Sequence, residues 1–241
     1  MRREVRARGG GTLRAIVNNA GVMGVRGPGS GAWEERRTAA AGAPAAEGAW
    51  DASADPHLGP NHLGPFLLTH RLRGVLGAGS RVVNVASRAH FQSPGLEFGP
   101  GLEVMGNPRG WYRQYARSKA ANVAFTAELR RQWPGVGAVA VSPGRVATGI
   151  FDSLPWPVGP LVRLAASVAF QTPREGARGV VAAVTDPALG PGAAAPIYLH
   201  LGRPAEPSAE SCDPETTARL WAASERYCGI AATQGGGRSL T

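Results

Sequence analysis

Tyr115 and Lys119 stand four residues apart in Tyr115-Ala-Arg-Ser-Lys119, a spacing that stacks two side chains on one face of a helix. A phenol with its ordinary pKa near 10 is a poor base at neutral pH. An ammonium beside it favours the phenolate and draws it toward the working range, so the pair reads as a proton-transfer device. Lys119 is the one lysine among 26 basic side chains. A guanidinium is a planar, permanently charged fork, whereas an ammonium is a compact point charge on a flexible stem that can reach over a neighbouring phenol. Ser87 adds a hydroxyl able to hydrogen-bond the oxygen of a carbonyl or alcohol. Together these three side chains describe a carbonyl-polarising site.

The elements that must position them can be followed along the chain. Leu13-Arg-Ala-Ile-Val17 reads as a short buried strand running into the polar turn Asn18-Asn19-Ala20-Gly21. From about 22 to 60 the composition collapses into Gly, Ala, Pro and Arg, which suggests a low-complexity loop or insertion. Asn61 to His70 has a helical pattern, and Ser80 to Ser87 is the β-branched run of a central parallel strand. Trp111 to Trp133 forms a long helix stopped before Pro134, and Val136 to Val141 is the next buried strand, ending in Ser142-Pro143-Gly144. A helix over Pro173 to Thr185, a weak strand near Ile197 to Leu201 and a last helix over Pro214 to Tyr227 complete the series. Strands alternating with helices predict an α/β, doubly wound parallel sheet. In such sheets ligands bind beyond the carboxyl ends of the strands, where Asn18 to Gly21, Ser87 and Pro143 to Thr148 fall together.

Composition limits the other function classes. The 241 residues fit one domain, read as residues 13–230 between a basic tail at 1–12 and a second tail at 231–241, both expected to be disordered. Net charge is +9, but the arginines are scattered, with no dense basic run after Arg8 and no interleaved aromatic platform. A solvated basic surface is therefore expected rather than a nucleic-acid site. Cys212 and Cys228 are the only cysteines, which implies no disulfide framework. Arg163 interrupts the best apolar run, from Leu154 to Phe170, so no transmembrane segment is expected; core packing or a flap over an apolar substrate both suit that run. His62, His70 and His90 lack the spacing of metal ligands.

With these residues in view, the chain resembles the short-chain dehydrogenase/reductase family and, within it, the retinol dehydrogenase-like branch. The resemblance runs in order through Asn18-Asn19-Ala20-Gly21, Asn61 to Thr69, Arg81 to Ser87, Tyr115 to Asn122, Pro143 to Thr148, Gln171 to Ala177 and Leu220 to Glu225. It implies a Rossmann-like fold and hydride transfer between NADP (or NAD) and a small apolar alcohol, aldehyde or ketone. Tyr115 would then be the general acid or base, and Ser87 the holder of the substrate oxygen. Lys119 would lower the tyrosine pKa and grip the nicotinamide ribose, Tyr115 would also contact the cofactor, and Asn61 would support a water leading protons to the lysine. Asn19, Ala20 and Gly21 would line the adenosine side of the cofactor, and Pro143, Gly144, Val146 and Thr148 its nicotinamide end. Plainer roles stay open: Asn19 tying neighbouring strands, Ser87 ending its strand, Pro143-Gly144 making an ordinary turn, and Asn61 capping a helix.

The family pattern also opens with a strand, a glycine-rich turn and a helix that receives the pyrophosphate. That unit has no counterpart before Leu13. Gly95, Gly99 and Gly101 have a glycine-rich spacing, but Pro94 and Pro100 and the lack of a following helix argue against a phosphate cradle. The sequence therefore reads as an N-terminally incomplete sheet, for which weak stability is expected. The alternative is a non-catalytic or truncated member that does not bind dinucleotide. Oligomeric state, localisation and the choice between NAD and NADP stay open.

Overall fold

The computed structural model describes residues 12–24, 56–96, 110–146, 170–192 and 194–230. Five strands form one sheet in the order β1-β2-β3-β4-β5: β1 Leu13–Asn18, β2 Leu76–Val85, β3 Gly137–Ser142, β4 Tyr198–His200 and β5 Arg203–Pro204. The first four run parallel, and the two-residue β5 returns antiparallel on β4. The register sets Asn18 beside Asn84 and Val85 beside Val141. The carboxyl ends of β1, β2 and β3 thus finish along one edge.

Alternation along the strands sends apolar side chains to both faces, as a sheet covered on both sides requires. Val82 and Ala138 point to one face, where they meet Phe66, Phe125, Leu129, Trp133 and Trp221. Val83, Val139 and Val141 point to the other and pack with Ala183, Leu189 and Leu199. Three helices supply the first layer: α1 Gly64–Leu72, α2 Trp111–Gln132 and α4 Pro214–Tyr227. The second layer is α3, Pro173–Thr185. The second layer leaves Val17 of β1, on that same face, 42% exposed.

The helix ends follow local chemistry. α3 opens with a capping box in which the Thr172 side chain accepts from the Glu175 N–H while the Glu175 carboxylate accepts from the Thr172 N–H, and Pro173 occupies the first turn. α4 starts with a one-way N-cap, Asp213 accepting from the Thr216 N–H ahead of Pro214. α2 is buried continuously from Tyr115 to Leu129, the mark of a helix wedged between layers.

Where sequence and structure differ, the reasons are physical. Asn61 does not open an α-helix: it lies inside a π-helical turn, Gly59–Leu63, which precedes α1 and whose N-cap, Leu58, makes no side-chain cap. β2 begins earlier than the β-branched run, at Leu76. Ser80 satisfies its glycine-rich start by accepting from the Gly77 N–H and donating to the Leu13 carbonyl. The ends of the low-complexity stretch are packed, with Met23, His57 and Leu58 all buried. Residues 25–55, the two tails apart from residue 12, the glycines at 99 and 101, Thr148 and the run from Leu154 to Ala169 lie outside the described residues. No described helix is long and apolar enough to cross a membrane.

Candidate active site

A cleft of about 1390 Å³ opens beyond the carboxyl ends of the parallel strands, where the doubly wound rule places ligands. Asn19, Ala20 and Gly21 line it after β1, Ser87 after β2, and Pro143, Gly144 and Val146 after β3, with Tyr115 and Lys119 facing in from α2. Every candidate among the described residues except Asn61 lines this one space. Asn61 stands directly behind Gly21, where a Cβ would come within 3.2 Å of the Asn61 Oδ1.

The Lys119 Nζ lies 5.6 Å from the centroid of the Tyr115 ring and donates to the Val85 carbonyl at 3.0 Å. Both side chains are buried, and burial governs their chemistry. Loss of solvation pushes the Tyr115 phenol up to about 12, while a hydrogen bond with the Ser87 side chain acts in the opposite direction. The same loss lowers the Lys119 ammonium to about 8. In the structure as it stands, burial acts on the phenol against the direction expected from Lys119. What the arrangement offers at pH 7 is a proton donor beside a hydroxyl, with a buried cation behind it.

Asn61 is likewise committed. Its Oδ1 accepts from the Val22 N–H at 2.6 Å, and its Nδ2 donates to the Val22 carbonyl and to the Ser118 hydroxyl, both at 2.9 Å. Ser118 in turn donates to the Tyr115 carbonyl at 2.7 Å. Both amide hydrogens therefore serve protein partners, and the side chain acts as a staple. It fixes the segment after β1 against the helix that carries Tyr115 and Lys119.

The inter-strand tie considered for Asn19 belongs to its neighbour. Asn19 is exposed at the cleft, whereas Asn18 is buried and donates to the Asn84 Oδ1 at 2.7 Å and the Thr69 hydroxyl at 3.1 Å. Asn84 donates onward to Thr126, and Thr126 to the Asn122 carbonyl. Asn122 shares the Val85 carbonyl with Lys119. This ladder escaped the sequence reading; five buried polar residues on facing elements, Asn18, Thr69, Asn84, Asn122 and Thr126, were its signal. Leu201 was also missed, and its left-handed backbone sets it against Gly144, where any Cβ would collide with it.

The charge of the site suits an anionic ligand. Among the described lining residues the charged side chains are Arg88, Lys119 and Arg145, without a carboxylate, so the local field favours phosphates. Gly21 leaves its Cβ position open within 3.3 Å of the Lys119 Nζ, which lets a ligand approach the ammonium across bare backbone. Met23, Ala89, Phe91 and Leu201 add apolar lining to the cleft; Phe91 and Leu201 are 50% and 49% exposed.

The chain is 32% identical over 234 residues to polyprenol dehydrogenase of Danio rerio, an alignment covering 90% of this chain and 63% of that protein. It is 31% identical over 180 residues to retinol dehydrogenase 14 of Homo sapiens, covering 71% of this chain and 52% of that one. Among solved structures, the NADPH-bound carbonyl reductase from chicken fatty liver is 18% identical, with a TM-score of 0.51 over 85% of this chain and 70% of that one, a likeness of fold. No family model matches. The chain thus spans between about half and three fifths of these curated relatives' length.

Proposed function

The chain belongs to the short-chain dehydrogenase/reductase family, among its retinol dehydrogenase-like members, and on that premise we propose that it is an oxidoreductase acting on an apolar carbonyl or alcohol with NADP or NAD. The observation that carries this reading is the convergence of Ser87, Tyr115 and Lys119 on one cleft at the strand ends. The relatives' printed names, polyprenol and retinol dehydrogenase, favour a long apolar alcohol or its aldehyde. The apolar residues in the cleft lining agree with that.

In this mechanism Ser87 donates to the substrate oxygen and fixes it against Tyr115. A bound nicotinamide supplies or accepts the hydride at the carbon of that carbonyl or alcohol. Tyr115, protonated at neutral pH, gives its phenolic proton to the oxygen as negative charge grows there. Lys119, held at the Val85 carbonyl, then stabilises the phenolate left behind and can hold the nicotinamide ribose. Asn19, Ala20 and Gly21 would support the adenosine side, and Pro143, Gly144, Val146 and Thr148 the nicotinamide end. A phenol held at about 12 suits the reductive direction near neutrality, where a proton must be given.

Titration of the purified chain with NADPH and with NADH, followed by nucleotide fluorescence, tests the reading. Saturable binding of at least one supports it. No binding of either favours a family member that does not hold dinucleotide.

A further inference from the structure

We infer that His90 is a positioning residue for Ser87: a neutral imidazole, locked in one tautomer by the backbone of Ser208, that anchors the Ser87 main chain beside the reacting oxygen. The inference rests on the role proposed for Ser87. His90 is 1% exposed, and its two ring nitrogens face two different segments. The Nδ1 lies 2.6 Å from the Ser87 carbonyl, and the Nε2 accepts from the Ser208 N–H at 3.1 Å. A backbone amide can only donate, so Nε2 must present its lone pair and the ring proton must sit on Nδ1. That proton is donated to the Ser87 carbonyl.

The ring has little freedom to leave this position. It stacks on Phe91 with centroids 4.0 Å apart and meets the edge of Tyr198 at 4.9 Å. Ser208 belongs to the connection between β5 and α4, and its hydroxyl donates to the buried Ser211 at 2.7 Å. Glu210 of the same connection accepts from the Leu96 N–H at 2.7 Å. Two points of one distant segment thus hold the loop 88–96 in place. Its second residue, Ala89, donates to the Ser87 hydroxyl oxygen at 3.2 Å. Burial together with the charges of Arg88 and His200 outweighs the Ser87 hydrogen bond and holds His90 below its ordinary pKa. A second ring proton would point at the Ser208 N–H, so only the neutral form satisfies both neighbours.

The experiment pairs nitrogen NMR of histidine-labelled full-length chain with steady-state reduction of an apolar aldehyde by NADPH. The signal that disappears in His90→Phe identifies the residue, and it should show a proton on Nδ1. His90→Phe keeps a ring and loses both bonds; kcat should fall about ten- to a hundredfold, the range that outer partners of site ligands show elsewhere, with NADPH affinity unchanged. His90→Asn, whose amide can still donate to the Ser87 carbonyl, should recover most of the rate. A proton on Nε2, a Phe variant with undiminished kcat, or parallel loss of coenzyme affinity and rate in both variants would overturn the inference. A wild-type chain without turnover sinks the proposed function instead, and the tautomer then decides alone whether the anchor exists.

Discussion

The carboxamide of Asn61 pairs with both main-chain groups of Val22, accepting the N–H at 2.6 Å and donating to the carbonyl at 2.9 Å. One side chain thereby closes a bridge that a neighbouring strand would make with its backbone. The second amide hydrogen reaches Ser118, between Tyr115 and Lys119. The floor of the cleft and the helix bearing its proton donor are therefore set by a single residue.

Removing that residue strands two backbone groups. Asn61→Ala should destabilise the chain by about 2–3 kcal/mol, the cost of leaving buried partners unsatisfied. Urea denaturation measures it through the midpoint at unchanged slope. A loss below about 0.5 kcal/mol would show that water replaces the carboxamide freely.

Lys119 should not tolerate arginine. Its Nζ is buried and donates to the Val85 carbonyl, a contact made by a compact ammonium that the longer, planar guanidinium cannot reproduce. Lys119→Arg should lower coenzyme affinity and kcat/KM by at least about tenfold, which corresponds to roughly 1.4 kcal/mol. Wild-type kinetics in the arginine variant would mean that positive charge alone matters.

Much of this site was legible because helical and strand periods are short-range. Tyr115 and Lys119 share a face by their spacing alone, and the β-branched run announced β2 with Ser87 just past its end. Asn18 and Asn19 show where that reasoning stops: a one-residue shift turns a strand's side chains to the opposite face, and two adjacent asparagines give no clue to which turns inward. Asn61 had a visible role in the family pattern, but its pairing with Val22 depends on a π-helical turn that no local period predicts. His90 and Ser208 are 118 positions apart, so only the folded chain brings them together. The burial that raises the phenol's pKa was equally hidden, since its depth depends on how the chain folds over α2.

Acid should unfold the chain early. Burial holds His57, His62 and His70 at about 4 rather than 6.5, so between these values the unfolded chain binds protons that the folded one refuses. Stability then falls as pH drops from about 6.5 to about 4. Thermal melts across that window should show a steadily declining Tm, and a flat profile would contradict neutral buried imidazoles.

The two reaction directions should separate with pH. Reduction needs the Tyr115 proton, which a phenol near 12 retains through neutrality; oxidation needs the phenolate, whose population rises tenfold per pH unit below the pKa. The ratio of oxidation to reduction rates should therefore climb as pH rises from 6 toward 8, the value near which Lys119 loses its charge. An oxidation rate already at its plateau at pH 7 would mean that the phenol is far more acidic in the working complex.

The most direct measurement compares wild type with Tyr115→Phe in reduction of an apolar aldehyde by NADPH, with coenzyme affinity determined on the same preparations. Loss of the phenolic proton should cut kcat by roughly a hundredfold or more while NADPH binding stays unchanged. A phenylalanine variant that turns over like wild type would show that the proton comes from elsewhere and that Ser87, Tyr115 and Lys119 do not form the reacting centre.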